Sequence, residues 1–448
     1  MIETEFENGD MRRHDLGRLS RPTAMICGEA IGLMLEDARA SLERLQKAIV
    51  VDQVEEISRI SRACPDCQTQ RRIHHDRARK LDTLFGRVSV RAPRICPCMC
   101  QTGDRLRDVS AQSILSHLLP DRATPEFLRM QTELGSQHSF REAARIMDTF
   151  LPCAAHSHVT VRNRLGRGAT GMEDGNATLA SVDVENENKV AATPVFLDGA
   201  HIPSRPEYQK RHLDVLVGKI DGPRTSRRFG LVKEGAASPI SLLRNELALA
   251  GWRSGDPLTV LTDGEAALPN LIHLAVGRQF THILDWWHIS MRVRHVENAV
   301  KGLLRCQGLT DPLVLFQRPT ERLRWWIWHG RSRLAVTQLQ WLVVDCSRVQ
   351  TDDPELCAAA DRVQSRSKAL LTYLSNNMGS LCDYGARYRS GLAISTSRAE
   401  GCVDDIANTR MGKKRRMRGS PRGAHRVAVT RAAALDGRLT VSHRKIAA

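Results

Sequence analysis

The sequence contains no apolar run near the roughly 18 residues that a membrane-spanning helix needs. Its opening, M-I-E-T-E-F-E-N-G-D, is acidic and has no signal-peptide pattern, so the expected location is the cytoplasm, with no membrane partner. Regular cysteine spacing is also missing. Twelve cysteines are scattered through 448 residues, which points to thiols or metal ligands rather than a disulfide framework. Nor is there any surplus of acid. The formal net charge is +16, and it is concentrated in two blocks. Arg71 to Arg107 holds ten basic and three acidic residues, and Arg387 to Lys445 holds fifteen and four, which leaves the rest near neutral. Two such blocks read as phosphate-facing surfaces, with solvated tails as the plainer alternative.

What is present suggests several domains. Residues 1–62 form an N-terminal helical region: about twenty polar residues expected to be disordered, then apolar residues at helical spacing from Ala24 to about Ile60. Residues 63–105 carry Cys64-Pro65-Asp66-Cys67 and, some 30 residues on, Cys96-Pro97-Cys98-Met99-Cys100. That spacing fits a zinc ribbon holding Zn²⁺ through Cys64, Cys67, Cys96 and Cys98, with Cys100 as the substitute. Reduced cysteines in a loop are the alternative. Between the two clusters, L-F-G-R-V-S-V-R alternates apolar and basic residues, as a half-exposed strand with a cationic face would. Residues 106–168 give two short helices, with Thr124 and Ser139 as N-caps and Pro125 in the first turn, and then V-T-V-R-N-R-L. The order resembles a helix-turn-helix presenting Arg162, Asn163 and Arg164 to a DNA groove, although a plain helical hairpin would look similar.

Residues 169–192, within the Gly- and Asn-rich stretch from Gly166 to Ala192, read as a linker. The period then changes. In 193–285 three short apolar runs each finish on an aspartate: Asp198 after T-P-V-F-L, Asp263 after L-T-V-L-T, and Asp285 after the run from Phe280 to Leu284. Three strands followed by strand–helix–strand is the order of an RNase H-like mixed five-stranded sheet, an α/β core. Residues 286–394 read as a helical block, with Trp325, Trp326 and Trp328 more in keeping with core packing than with base stacking. Residues 395–448 read as a helix start followed by a basic tail.

Acids gathered at one sheet edge are costly unless cations neutralise them. Two-metal phosphoryl transfer needs such carboxylates on separate elements. Asp198 and Asp263 fit that role, with Glu400 from a later helix completing the set and Asp404 and Asp405 as rivals. The alternatives are turn-starting aspartates for the first two and, for Glu400, a capping box with Ser397. Asp285 and His288, spaced D-x-x-H, suit helix capping or an auxiliary role toward a phosphate or metal.

These motifs resemble bacterial insertion-sequence transposases of the DDE class, specifically the ISKra group. The resemblance rests on C-P-x-C with C-P-C, L-P-D-R-A-T-P-E-F-L, H-V-T-V-R-N-R-L, F-L-D-G, L-T-D-G-E, D-W-W-H-I, and E-G-C-V-D-D-I-A-N-T-R-M-G-K-K-R-R-M-R-G-S-P-R-G-A-H. It implies a catalytic triad of Asp198, Asp263 and Glu400 working with two Mg²⁺ or Mn²⁺ ions. It also implies DNA transposition on double-stranded element ends, and a homo-oligomer on that DNA. Lys413, Lys414, Arg415, Arg416, Arg418 and Arg422 join the helix-turn-helix residues as DNA contacts. Gly419 departs from the pattern, standing where the resemblance leads one to expect Trp. A nuclease without strand transfer and a decayed, purely DNA-binding transposase are the rival readings.

Overall fold

Alternation of buried and exposed residues organises the first of two units, Met1–Ala169, in the computed structural model. The structure describes residues 1–18, 32–102, 111–181, 192–236, 238–277, 280–306, 317–348, 352–415 and 417–439. Strands β1 (Ile2–Glu5) and β2 (Met11–His14) form an antiparallel hairpin. Arg12 and His14 of β2 reach Asp52 of helix α1 (Leu35–Ile60) at 3.4 and 2.6 Å. Only one helix forms in this region among the described residues. α1 buries Val50 and Val54 against Leu81, Val88 and Val90. Those residues come from β4 (Ala78–Thr83) and β5 (Gly86–Arg91), a hairpin flanked by the short pair β3 (Ile73–His75) and β6 (Arg94–Ile95). In β5, Val88 and Val90 point inward while Arg87, Ser89 and Arg91 are exposed, as the alternation predicts.

After the short helices α2 (Met99–Thr102) and α3 (Ile114–Leu118) come α4 (Pro125–Gln137), α5 (Phe140–Phe150) and α6 (His158–Ala180). Ser139 caps α5 through its hydroxyl, which accepts from the Glu142 N–H at 3.1 Å. Thr124 holds the N-cap position of α4 without a side-chain bond. Two sequence expectations fail here. The stretch from Gly166 opens no linker, because α6 continues to Ala180; residues 182–191 lie outside the described residues. Val161, Leu165 and Ala169 keep the helical stripe buried, and glycines allow a close approach. A Cβ on Gly135 of α4 would lie 3.2 Å from Leu165. Arg164, moreover, does not face a groove. It is buried, donating to Asp82 Oδ2 at 2.7 Å and Gln131 Oε1 at 3.0 Å, with its guanidinium 5.3 Å from the Phe127 ring.

The second unit, Thr170–Asp436, is built on a five-stranded mixed sheet. Its elements are β7 (Thr193–Pro203), β8 (His212–Asp221), β9 (Ser226–Val232), α7 (Pro239–Leu249), β10 (Leu258–Thr262), α8 (Ala267–Val276) and β11 (Thr281–Leu284). The spatial order is β11-β10-β7-β8-β9, with β7, β8 and β9 antiparallel and β10 and β11 parallel to β7. The two-residue period of a strand assigns the faces. Val195, Leu197, Leu258 and Val260 pack against α7 and α8. Phe196 and Leu261 pack against the opposite layer. That layer contains α9 (Trp286–Leu303), α10 (Gln317–Trp328), α11 (Ser332–Ser347), α12 (Pro354–Asn376) and α13 (Tyr384–Arg389). Trp328 joins it, 4.8 Å from the Trp286 ring, and Trp326 is partly buried there, whereas Trp325 is 47% exposed.

The first core strand runs beyond the expected end at Asp198. Ala200 and Ile202 continue the buried alternation, and β8 pairs along its whole length, with Asp198 opposite Val217. The chain closes through α14 (Ser397–Cys402), a π-helical segment Val403–Asn408, α15 (Thr409–Met411) and α16 (Pro421–Leu435). The expected basic tail is therefore largely a packed helix. Gly230 of β9 lets it close up, since a Cβ there would sit 2.8 Å from Ile406 and 3.3 Å from Ala428. His425 is buried, accepting from the Val232 N–H at 3.3 Å and pairing with Glu173 at 2.8 Å. Residues 440–448 lie outside the described residues. Among the described residues no helix is long and apolar enough to cross a membrane.

The Arg164 finding carries a prediction. Arg164→Ala leaves the Asp82 carboxylate without one of its cations and lowers stability by roughly 3 kcal/mol in thermal or denaturant melts. Arg162→Ala, two residues away and exposed, shifts stability by less than about 0.5 kcal/mol.

Candidate functional site

Two clusters in the described residues bring metal-ligating atoms together. The first is Cys64, Cys67, Cys98 and Cys100, whose sulfurs all lie within 4.8 Å of one another. Cys64 and Cys100 are 3.4 Å apart, and Cys67 and Cys98 3.5 Å. Four thiolates at about 2.3 Å from one zinc ion would sit about 3.8 Å apart, so the set fits a tetrahedral metal ion. Cys100 replaces Cys96 in this set, which corrects the expectation. Cys96 still belongs to the extended chain after β6, its N–H donating to Arg72 at 2.8 Å, and the turn that gathers the sulfurs begins after it. Hydrogen bonds from Thr69, and then from the thiols of Cys100 and Cys98, pull the Cys67 thiol down to about 6. Hydrogen bonds with Cys67, Cys98 and Cys64 keep the proton on Cys100 and push its thiol up. Four sulfurs held this close form a set that could hold a metal ion.

The second is Asp285, His288 and Glu400, whose ligand atoms lie within 4.8 Å of one another; Asp198 and Asp263 stand at the sheet, outside that set. Parallel pairing sets Leu261 of β10 beside Phe196 of β7. Two residues further on each strand stand Asp263 and Asp198, so the register carries both carboxylates onto one face of neighbouring strands, toward the layer of α9 to α14. Asp198 accepts from the Gly199 N–H at 2.7 Å, and Asp263 from the Glu265 N–H at 3.0 Å. Tyr373 of α12 donates to the Asp263 carbonyl at 2.7 Å. Gly264 follows at φ +98°, where a Cβ would also strike Leu284 at 2.8 Å, so only glycine makes this turn.

Asp285 is wholly buried and caps α9. Its Oδ1 accepts from the N–H groups of Trp287 (2.9 Å) and Thr396 (3.2 Å). Its Oδ2 accepts from the Thr396 hydroxyl (2.8 Å) and pairs with His288 Nδ1 (2.6 Å). Burial opposes its charge, but the bonds from His288, Trp287 and Thr396 hold the carboxyl below its ordinary value. The aspartate is spent on structure. It fixes the His288 ring, leaving Nε2 as the nitrogen available to the site, and it ties the start of α9 to the start of α14.

Thr396, not Ser397, is the N-cap residue of α14, and its hydroxyl serves Asp285. The expected Ser397–Glu400 capping box is therefore absent, and Glu400 in the first turn has no capping duty. It comes within 4.8 Å of both Asp285 and His288, whereas Asp198 and Asp263 do not join that set at the same distance. The acids still influence one another. Burial pushes the Asp198 carboxyl up to about 6, and Asp263 and Glu400 push the same way, against the Gly199 N–H and His288. The bond to Asp285 holds the His288 imidazole above its ordinary value, and Asp263 and Glu400 add to it. Of the rivals, the Asp404 carboxylate accepts from Asn408 at 2.8 Å, and at Asp405 it is the backbone carbonyl that accepts from Arg431; neither carboxylate is among the ligand atoms that gather around Glu400. Thr396 and Tyr373 are positioning residues that sequence reasoning missed. The T-S-R-A-E stretch allows two cap registers, and a tyrosine in a long amphipathic helix carries no mark of what it will meet.

Of the expected DNA contacts, Arg162, Asn163, Lys414, Arg415, Arg418 and Arg422 are exposed. Arg415 also donates to the Thr409 carbonyl at 2.8 Å. Arg416 and the Lys413 side chain lie outside the described residues. Gly419 joins the end of β7, donating to the Pro203 carbonyl at 3.0 Å and accepting from Arg205 at 3.1 Å. A Cβ there would stand 3.2 Å from Ala424, so a larger residue would have to displace α16 slightly.

Two outcomes test these arrangements. Cys100→Ser abolishes stoichiometric zinc in purified protein measured by elemental analysis, while Cys96→Ser retains it. For Asp198 the raised folded-state value means that folding favours the proton. That contribution is complete below the unfolded value near 4 and is lost as pH rises through about 6. Metal-free Asp198→Asn is therefore more stable than the parent at pH 7, by roughly 1–3 kcal/mol, and the gain vanishes near pH 4.

Compared with known proteins, the chain matches no protein-family model and no curated protein sequence.

Proposed function

We propose that the protein is a metal-dependent DNA transposase of the DDE class, with an RNase H-like core that cuts and joins strands at the ends of an insertion sequence. The observation that carries this reading is the β7–β10 register, which brings Asp198 and Asp263 to adjacent strand positions, with Glu400 of α14 near enough to act electrostatically on Asp198. An antiparallel trio followed by two parallel strands is the sheet order an RNase H-like core requires. The basic block from Arg387 onward supplies charge for a polyanionic substrate.

Asp198, Asp263 and Glu400 would hold the divalent ions, Mg²⁺ or Mn²⁺. The donor set fits: these are hard oxygen ligands, and Asp198, raised first by burial and then by Asp263 and Glu400, is a carboxylate whose charge a cation would offset. When bound, such ions activate water or a 3′-hydroxyl and stabilise the departing oxygen of a phosphodiester. The chain's own residues do the rest. His288 presents Nε2 to the site, where it can donate to a phosphate oxygen, and Asp285 fixes its ring. Tyr373 and the Gly264 turn hold Asp263 in place. The cysteine cluster would carry structural zinc in a ribbon that, with the exposed Arg162 and Asn163, contributes to DNA binding. The substrate in this reading is duplex DNA at element ends and target, engaged by a homo-oligomer.

Gly419, in place of the expected Trp, favours one other reading, a repurposed transposase that binds DNA without cutting it. Cleavage and strand transfer on a duplex carrying the element's ends, with Mg²⁺ or Mn²⁺, separates the two. The transposase reading expects activity in the parent and a loss of at least roughly a hundredfold in Asp198→Asn, Asp263→Asn and Glu400→Gln, with DNA binding retained. Full activity in any of the three contradicts the triad, and an inactive parent that still binds DNA favours the repurposed protein.

A further inference from the structure

On α9 the residues His288, Arg292, His295, Ala299 and Gly302 recur at helical spacing and share one face. On α12 the same spacing aligns Arg362, Arg366, Ala369 and Tyr373. The two faces meet. The Arg292 guanidinium lies 4.2 Å from the centre of the Tyr373 ring, and Tyr373 in turn bonds the Asp263 carbonyl. Further from the acids, His295, Asn298, Ala299, Gly302, Arg362 and Arg366 line one groove of about 320 Å³. No carboxylate lines it. His295, Asn298, Arg362 and Arg366 are exposed donors, and a Cβ on Gly302 would meet nothing within 4 Å, so the floor is low and open.

We infer that this groove is a phosphate track that guides the DNA backbone away from the acidic site. The inference rests on the reading of that site as one that cuts DNA. His288, in the site, begins the α9 stripe, and Gly302 ends it. The stripe is about 21 Å long at 1.5 Å per residue, the rise of roughly six base pairs. A strand whose phosphate meets His288 passes next over Arg292, then between His295 and Arg366, then between Asn298 and Arg362. Small residues at Ala299, Gly302 and Ala369 leave room for the backbone. The order of groups follows a polyanion: cations and neutral donors throughout, with acids confined to the cutting end. A freely solvated helix face would not place two arginines of one helix opposite the histidine and asparagine of another in a groove without a counter-charge.

The test measures the salt dependence of binding by full-length protein, in the Asp198→Asn background, to a fluorescein-labelled DNA duplex. Arg362→Ala/Arg366→Ala removes two phosphate contacts and flattens the slope of log K against log salt by about 2, for duplexes of any sequence. A charge-matched control, Arg333→Ala/Lys368→Ala, uses exposed residues that do not line the groove and leaves the slope unchanged. An unchanged slope in the groove variant, an equal drop in the control, or no DNA binding at all overturns the track. The cutting reading is tested separately on the protein with Asp198 intact. A groove-dependent slope without cleavage keeps the track and removes the cutting reading, whereas cleavage with an unchanged slope does the reverse.

Discussion

The second unit depends on one buried carboxylate. Asp285 lies at the end of the last strand with no exposed surface, and accepts from two backbone N–H groups, a hydroxyl and an imidazole. A charge taken out of water is tolerable only when its lone pairs are satisfied in this way. The arrangement has a structural consequence. Two of the donors belong to Thr396, more than a hundred residues later in the chain, so satisfying Asp285 brings the start of α14 to the sheet. Glu400, one turn further, then arrives beside His288. The helical block between the two segments is closed off by this contact, and its core is continuous with the sheet through Phe196, Leu261 and Ile283.

Where Asp285 accepts from four protein donors, Asp198 accepts from the Gly199 N–H and Asp263 from the Glu265 N–H. The pairing of β7 with β10 aligns them, and at Asp198 burial disfavours the ionised form, with Asp263 and Glu400 pushing the same way. The Gly199 N–H and then His288 oppose it, and the His288 imidazole is itself held by Asp285. The same division of labour recurs in the first unit. Asp82 is compensated by Arg164, Arg87 and His156, and is structural. The cysteine cluster, by contrast, keeps four sulfurs close, with Cys64 beside Cys100 and Cys67 beside Cys98. Compensated groups such as Asp285 and Asp82 hold the fold together.

How much of this could be read from the sequence depended on range. Strand and helix order followed from period alone, because the alternation in β5, β7 and β10 and the stripes of α4 to α6 are local signals. The strand-end position of Asp263 and the cap at Asp285 were legible for the same reason. Asp198 was misjudged because the alternation continues past it to Ile202, and a Gly beside an acid imitates a turn. Arg164 was misassigned because its neighbours Arg162 and Asn163 are exposed, and only the three-dimensional proximity of Asp82 and Phe127 distinguishes it. Cys96 and Cys100 flank Cys98 symmetrically in the sequence, and the direction of the turn after β6 breaks the tie. The π-helical segment and the packing of α16 on Gly230 rest on contacts between distant segments, to which no local pattern points.

The central claim is that Asp198, Asp263 and Glu400 form one cation site, with Asp285 as its frame rather than its ligand. Anomalous scattering from Mn²⁺-soaked crystals tests it most directly. The account predicts manganese peaks within coordination distance of all three carboxylates and none on Asp285. A peak coordinated by Asp285 and His288, or no peak at Asp198 and Asp263, would contradict it.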